Sequence, residues 1–310
     1  MNGNSITIRN YDSSDFNNYA QLHIEAEKLD QSGHYISKQR LAEDLAHPSF
    51  HPENDLFIAE QAGSVNGYAS VFLESGIKRA LLDGMIHPLQ RKKGIATELF
   101  DHAIKRAKAA ESEVAQICVP ENNLAAKNLV LRLGFRFIHH FFELNLDLNI
   151  TSLPDIEQSE FIIRSLKRGK ADELMDIQNR AFADTWGFNP NTRDEIAYRI
   201  NLSSCTPEDV VMAYLGDKPV GYCWTRMFIE ENSTECRVKG EIHMLGVDPA
   251  FRRKGIGRKV LLAGMVHLKS KGVTTVKLTA DGEDPAAIAL YESVGFKICS
   301  RSEWYEKKLV

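Results

Sequence analysis

The segment Arg252-Arg253-Lys254-Gly255-Ile256-Gly257 sets cationic side chains against glycines just before a stretch with helical apolar spacing. A helix N-terminus exposes unpaired N–H groups and partial positive charge, so it attracts phosphate. Without Cβ atoms, Gly255 and Gly257 let a pyrophosphate approach the backbone, while Arg252, Arg253, Lys254 and Arg258 add charge. Ile256 is the first of the apolar residues that recur at helical spacing. Arg91, Lys92, Lys93, Gly94, Ile95 and Ala96 repeat the pattern earlier in the chain. The chemistry this points to is capture of a diphosphate-bearing small molecule. A basic turn that merely faces water is the plain alternative, and duplication of the whole context argues against it. The pattern is not a Walker loop, because Lys254 precedes the glycines instead of following them before Ser or Thr. Nor is it a dinucleotide fingerprint, since Val260 stands where the third glycine belongs.

The two segments belong to a long internal repeat. Pro88, Arg91, Lys93, Gly94 and Ile95 fall on Pro249, Arg252, Lys254, Gly255 and Ile256 at a constant shift of 161 positions. Ala125, Ala126, Leu129, Gly134 and Phe135 fall on Ala286, Ala287, Leu290, Gly295 and Phe296 at the same shift. Upstream, Gly67-Tyr68 matches Gly221-Tyr222 at a shift of 154, so the second copy carries 161 − 154 = 7 extra residues, expected within TRMFIEENSTECRVKG. ITIRNYDSSDF and FIIRSLKRGKADEL begin the copies with similar strands and polar helix entries. Between the copies, LDLNITSLPDIEQSE is polar, aperiodic and contains Pro154, which suits a boundary near residue 150.

Each half reads as strand, one or two helices, a strand hairpin, a long strand, a helix, a strand, a helix and closing strands. This is an α/β unit of the α+β kind with a mixed sheet. VVMAYLGDKPVGYCW reads as a hairpin about Gly216, Asp217, Lys218 and Pro219, and EIHMLGV as the strand that leads into the basic turn. Beyond it Ile256, Val260, Leu261, Gly264, Met265 and Leu268 recur at helical spacing, and Gly272 is placed to end the helix.

Length and composition agree with two such units. A chain of 310 residues fits two domains, and 43% hydrophobic residues suffice for real cores. A net charge of −4 offers no global attraction to nucleic acid or to an anionic membrane. The polar opening MNGNSITIRN has no signal-peptide core, and no apolar run approaches a membrane span, so a cytoplasmic location is expected. Cys118, Cys205, Cys223, Cys236 and Cys299 are odd in number and spaced neither as a zinc site nor as a disulfide framework. Reduced thiols and no metal are expected.

VDPAFRRKGIG resembles the acyl-CoA pyrophosphate loop of GNAT-superfamily N-acetyltransferases, whose pattern is Gln/Arg-x-x-Gly-x-Gly/Ala. Arg252-x-x-Gly255-x-Gly257 and Arg91-x-x-Gly94-x-Ala96 both satisfy it. ALYESVGF resembles the superfamily's second signature, an aromatic-containing helix ending in Gly-Phe. The tandem arrangement is similar to the two-domain mycothiol synthase branch, which acetylates a cysteinyl amine. The resemblance implies two tandem acyl-CoA N-acyltransferase domains, residues 1–150 and 151–310, with acetyl-CoA as acyl donor and a small-molecule amine as acceptor. A monomer or homodimer is expected.

Amine acetylation needs a base for the ammonium proton, donors for the oxyanion and an acid for the leaving thiolate. Strand alternation puts Glu241, His243 and Leu245 on one face. The resemblance favours Glu241 as base, directly or through water, with His243 in reserve. It implies Tyr291 as acid on the last helix, the backbone N–H of Val247 as the group that polarises the thioester carbonyl where the strand splays, Leu245 as a further contact to the acyl donor, and Ile86 as the matching contact in the first copy. A packed core aromatic is the structural alternative for Tyr291, and a solvated strand-end charge the one for Glu241. At the shift of 161, Glu241, His243 and Tyr291 correspond to Ala80, Leu82 and Val130. The first copy is therefore expected to be catalytically silent while keeping its phosphate loop. One departure from the family pattern is Glu283-Asp284 in the second copy where the first has Asn122-Asn123, with Asp284 and Pro285 reading as a helix cap and first turn.

Trp186, Phe188, Arg193 and Tyr198 are candidates for an acceptor pocket or for simple packing of a helix on the sheet. Two rival functions stay open: acetylation of a protein N-terminus or lysine, and a non-catalytic acetyl-CoA-binding regulatory or scaffold role. Glu241 and Tyr291 in one copy only argue against the last.

Overall fold

The computed structural model describes residues 6–31, 35–156, 160–230 and 237–310. The chain divides into one unit formed by Met1–His139 with Glu303–Val310, and another formed by His140–Ser302. Each unit is built on a mixed sheet flanked by helices, as expected from the sequence.

In the first unit β1 (Thr7–Asn10), α1 (Phe16–Asp30), α2 (Lys38–Leu45) and the single turn α3 (Pro52–Asp55) precede β2 (Leu56–Gln61), β3 (Ser64–Glu74) and β4 (Arg79–Ile86). Then come α4 (Ile95–Ala109), β5 (Val114–Pro120), α5 (Leu124–Arg132) and the start of β6 (Arg136–Asp147). β1 to β4 are antiparallel neighbours in that order, and β4 pairs in parallel with β5. Apolar residues at helical spacing in α4, among them Leu99, Ala103 and Ala107, are fully buried against one sheet face. Tyr19, Leu22 and Leu41 from α1 and α2 cover the other face.

The second unit repeats the plan with β7 (Ile162–Ser165), α6 (Ala171–Phe182), α7 (Arg193–Arg199), β8 (Val210–Leu215), β9 (Lys218–Glu230) and β10 (Arg237–Val247). α8 (Ile256–Ser270), β11 (Thr275–Asp281), α9 (Pro285–Glu292) and β12 (Lys297–Lys308) follow. Its sheet runs β6, β11, β10, β9, β8, β7, with only β10 and β11 parallel. One core lies under α8 and α9 and a second under α6 and α7. The hairpin expected about Gly216 forms, but only Gly216 and Asp217 separate its strands, and Pro219 lies within β9.

The break expected near residue 150 is replaced by divisions after His139 and Ser302, for a reason rooted in strand pairing. Phe141–Asp147 of β6 pair with β11, so they belong to the second unit. At the other end, Tyr305 and Leu309 join the core of the first unit, and the Leu309 N–H donates to the Glu113 carbonyl at 2.9 Å. Each unit thus takes a strand from the other half of the sequence, which no local pattern announces. Residues 151–156 of the expected linker are without regular structure, while 157–159 lie outside the described residues. So do Cys236 and residues 231–236 of the expected insertion. Cys118, Cys205, Cys223 and Cys299 are free thiols, and burial pushes Cys205 up to about 12. Among the described residues no helix is long and apolar enough to cross a membrane.

Candidate active site

In the second unit the parallel ladder between β10 and β11 stops at Ile242–Leu278. Beyond it, β10 stays paired to β9 through Val247, and β11 stays paired to β6 through Asp281. The strands therefore splay into a wedge between residues 243–247 and 279–281, whose facing backbone groups have no ladder partner. A β-bulge accompanies the splay. Ile242 pairs with Thr225 and Met244 with Trp224, leaving His243 as the extra residue. Such a bulge bends its strand and re-aims the side chains that follow.

The bulge also corrects the expected alternation. Before it, Ile242 packs in the α8/α9 core, and a Cβ on Gly240 would meet Leu268 and Val273 there. After it, Leu245 and Val247 take over that side, while Met244 packs with the α6/α7 core. Glu241 thus faces α6 and α7, and Leu245 does not share its face. His243 does lie toward that side, its ring edge-on to Trp224 with centroids 4.9 Å apart. Glu241 is half-buried, opposite Arg226 on β9 and Lys277 on β11.

Val247 leads directly into the basic turn. Asp248 accepts a hydrogen bond from the Ala250 N–H at 3.0 Å and an ion pair from Arg180 at 3.1 Å. Burial would raise its carboxyl, but these two hydrogen bonds and the charge of Lys218 hold it below the usual range. Arg252 acts as a strut: Nε donates to the Val247 carbonyl at 3.3 Å and Nη2 to the Ala181 carbonyl at 2.7 Å, in the last turn of α6. Its expected phosphate charge is thus partly committed to holding the turn against a carbonyl-rich helix end. Arg253, at φ 60°, and Lys254 and Gly255, at φ 76°, are exposed. Gly255 is the N-cap of α8, and no side chain caps that helix. By contrast, Asn123 caps α5, Thr192 caps α7 and Asp284 caps α9. The first-turn amides of α8, at Ile256, Gly257 and Arg258, are therefore left without a side-chain acceptor, the condition in which a helix N-terminus attracts an anion.

The two glycines serve different ends. A Cβ on Gly255 would meet nothing within 4 Å, so that residue supplies the left-handed backbone and leaves the front of the turn open. A Cβ on Gly257 would instead touch Leu290 at 3.4 Å and Val247 at 3.6 Å, on the protein side, so close ligand approach is not what that glycine provides. Ala96 at the same place in the first unit fits this. The Arg258 guanidinium donates to Ser293 Oγ at 2.7 Å, tying α8 to the end of α9.

Tyr291 is 7% exposed within the α8/α9 core, edge-on to Phe296. Its hydroxyl makes no hydrogen bond among the described residues. Burial, with Cys223 and Asp284 nearby, raises its pKa, so the phenol is protonated at neutral pH. Glu241 and Tyr291 thus lie on opposite sides of the sheet, and the β10–β11 ladder ends one residue past Glu241.

The first unit has the same turn and the same splay. Its β4–β5 ladder ends at Leu82–Ile117. Lys92 has φ 64°, Gly94 has φ 85° and caps α4, and Arg91 Nε donates to the Ile86 carbonyl at 3.2 Å. Its guanidinium is ion-paired with Asp30. Lys93 donates to Gln90, while Ile95 is buried and Ala96 half-buried on α4. The β3–β4 ladder, however, is unbroken. Tyr68 pairs with Met85 as Tyr222 pairs with Gly246, but Val71 pairs with Leu82 where Thr225 pairs with Ile242. The counterpart of Glu241 is accordingly Leu81, not Ala80, and His243 has none. The extra residues of the second copy are His243 and six in the hairpin between β9 and β10, since Glu74↔Arg79 corresponds to Phe228↔Lys239. The substitution at the base position is apolar either way.

Among the acceptor-pocket candidates, Phe188 stacks on Phe182 at 5.7 Å, Arg193 pairs with Asp172, and Trp186 meets Phe141 of β6 at 6.0 Å. Phe141 was not legible as a site neighbour, because it comes from the other half of the sequence. Tyr222 was visible only as an alignment anchor. Two concavities elsewhere, of about 630 Å³ near Arg106 and about 290 Å³ between Arg168 and Arg193, border neither Glu241 nor Gly255.

Comparison with known proteins agrees with this geometry. A mycothiol acetyltransferase of Nocardia farcinica is 29% identical over 77% of this chain and 78% of its own length. One from Rhodococcus erythropolis is 27% identical over 77% and 80%. Among solved structures, a GCN5-related N-acetyltransferase from Sphaerobacter thermophilus has TM-score 0.75 at 19% identity, covering 98% of this chain and 96% of that one. A tandem GNAT protein from the clavulanic acid biosynthesis pathway has TM-score 0.74 at 15% identity, covering 99% of each chain. The Acetyltransferase (GNAT) family matches residues 20–135 and 171–296. With an uncapped helix behind a basic turn at the mouth of a splayed sheet, present twice, this chain is an acyltransferase that belongs to the acetyltransferase (GNAT) family.

Proposed function

We propose that the second unit transfers an acetyl group from acetyl-CoA to a primary amine of a small molecule by direct attack. The observation that carries this reading is the end of the β10–β11 ladder at Ile242–Leu278, beside Glu241 and five residues before the basic turn begins its approach to α8. A thioester carrier with its diphosphate on the amides of Ile256, Gly257 and Arg258 would extend along the unpaired edge of residues 243–247. Arg253 and Lys254 add charge from the open side of the turn.

Glu241, facing the α6/α7 side, takes the ammonium proton, directly or through water. The free amine attacks the carbonyl carbon, the C–S bond breaks, and Tyr291 gives its proton to the departing sulfur. The second proton of the nitrogen restores the phenol, so one proton is released per transfer. A phenol kept protonated by burial suits that task. The small-molecule acceptor is supported by the names of the mycothiol acetyltransferases, which align along most of their length. The first unit, with Leu81 and Val130 at these places, holds acyl-CoA without this chemistry.

A thiol-release assay with acetyl-CoA and a panel of amines tests the reading. Glu241→Gln is expected to lower kcat by about 100-fold and Tyr291→Phe by at least about 10-fold, with acetyl-CoA binding retained. Wild-type rates in both variants would remove the mechanism.

A further inference from the structure

Tyr222 is fully buried, yet its hydroxyl has no hydrogen-bond partner among the described residues. A buried hydroxyl left in this state carries its whole desolvation penalty. Its counterpart shows what is missing. In the first unit the Tyr68 hydroxyl donates to Asp83 Oδ2 at 2.8 Å, and Asp83 sits one residue past the end of the β4–β5 ladder. The ladders place Met244 where Asp83 stands and Gly246 where Met85 stands.

The two exchanges act together. Loss of the carboxylate releases the hydroxyl, and loss of the side chain at residue 246 opens a path for it. A Cβ on Gly246 would lie 2.7 Å from Tyr222 Cε1, so the ring crosses directly over that glycine. For a tyrosine rooted on β9 whose ring crosses Gly246, the far edge of β10, unpaired past Ile242, is within reach of the hydroxyl. Tyr291 and Cys223 are close enough to join burial in raising the Tyr222 pKa well above its ordinary value. A phenol in that condition is a donor at neutral pH.

We infer that the Tyr222 hydroxyl donates a hydrogen bond to the thioester carbonyl oxygen of the acyl donor in the wedge, and stabilises the oxyanion as the amine adds. This rests on the acetyl-transfer reading above and assigns a catalytic residue to the same site. No proton is transferred. As the carbonyl carbon becomes tetrahedral, the electron pair moves onto the oxygen that Tyr222 already faces.

The test is calorimetric titration of the full chain with acetyl-CoA and with CoA, alongside steady-state rates, in wild type and Tyr222→Phe. The binding set that weakens in Gly255→Val identifies the second unit. At that set, Tyr222→Phe should weaken acetyl-CoA about 5-fold, a typical loss for one neutral hydrogen bond. CoA, which has no carbonyl at the sulfur, should bind unchanged. The same variant should lower kcat about 100-fold with the pH profile preserved. Met244→Asp, which restores the first unit's carboxylate partner, should lower kcat while CoA still binds. Equal acetyl-CoA affinity and kcat in wild type and Tyr222→Phe would overturn the inference, as would equal losses for CoA and acetyl-CoA. A change confined to KM for the amine would also overturn it. Failure of wild type to bind acetyl-CoA at all would instead remove the acetyl-transfer reading, and this inference with it.

Discussion

The two units share a turn but differ in the strand that leads to it. β4 pairs with β3 without a break, and its Asp83 satisfies Tyr68 of β3, which packs with Tyr19 and His23. β10 carries a bulge at His243 and a carboxylate at Glu241, and Tyr222 on the neighbouring β9 has no partner among the described residues. The basic turn is thus preserved in both units while the strand leading to it diverged. An anion needs only amides and charge, which a glycine turn supplies from local geometry. Proton transfer needs particular side chains aimed at one point, and a single inserted residue re-aims a strand.

The largest effect is expected from deleting His243, which would return β10 to the register of β4. Acetyl transfer should fall by about 100-fold or more, the usual worth of a positioned base, while acetyl-CoA stoichiometry stays unchanged. Retained activity would show that the bulge is not what distinguishes the units.

Next in size are the paired variants Gly94→Val and Gly255→Val. A β-branched residue at positive φ costs about 1–3 kcal/mol, which lowers affinity roughly 5- to 100-fold at the loop concerned. Each should weaken one of the two acetyl-CoA sites by calorimetry, and only Gly255→Val should reduce turnover. Loss of turnover in Gly94→Val would end the division of roles proposed for the units.

The smallest effect concerns His23, which is buried on α1 in the first unit. Burial lowers its pKa, against a raising effect of Asp83. The unfolded chain therefore takes up a proton before the folded one as pH falls. Stability present above the ordinary histidine value of about 6.5 is lost through the window below it, by at most about 1.4 kcal/mol per pH unit. Thermal unfolding between pH 7 and 5 should show a transition whose acid sensitivity decreases in His23→Gln. Equal slopes in both proteins would mean that His23 titrates alike folded and unfolded.

Much of this was open to a reader of the residues alone. The repeat, the strand and helix types, the Gly255 turn and the Asp284 cap depend on patterns a few residues long. Their physics is local, because period, φ preference and capping are settled within one or two turns of chain. The comparison of Glu241 with the first copy was legible in kind but displaced by one residue, because a bulge is defined only against its partner strand. Arg252 could be read as a cation, but not as a strut to the Ala181 carbonyl 71 positions away.

The amino-acid order by itself determined that there are two copies, that each has a basic glycine turn, and that the first copy has apolar residues where the second has Glu241 and Tyr291. Only the tertiary structure decided which strands complete each unit, which side of β10 Leu245 occupies, and that Tyr222 is left unpaired over Gly246. The first set follows from short-range conformational preference. The second depends on register between distant strands, which is fixed by the sum of many packing contacts and is written in no single segment.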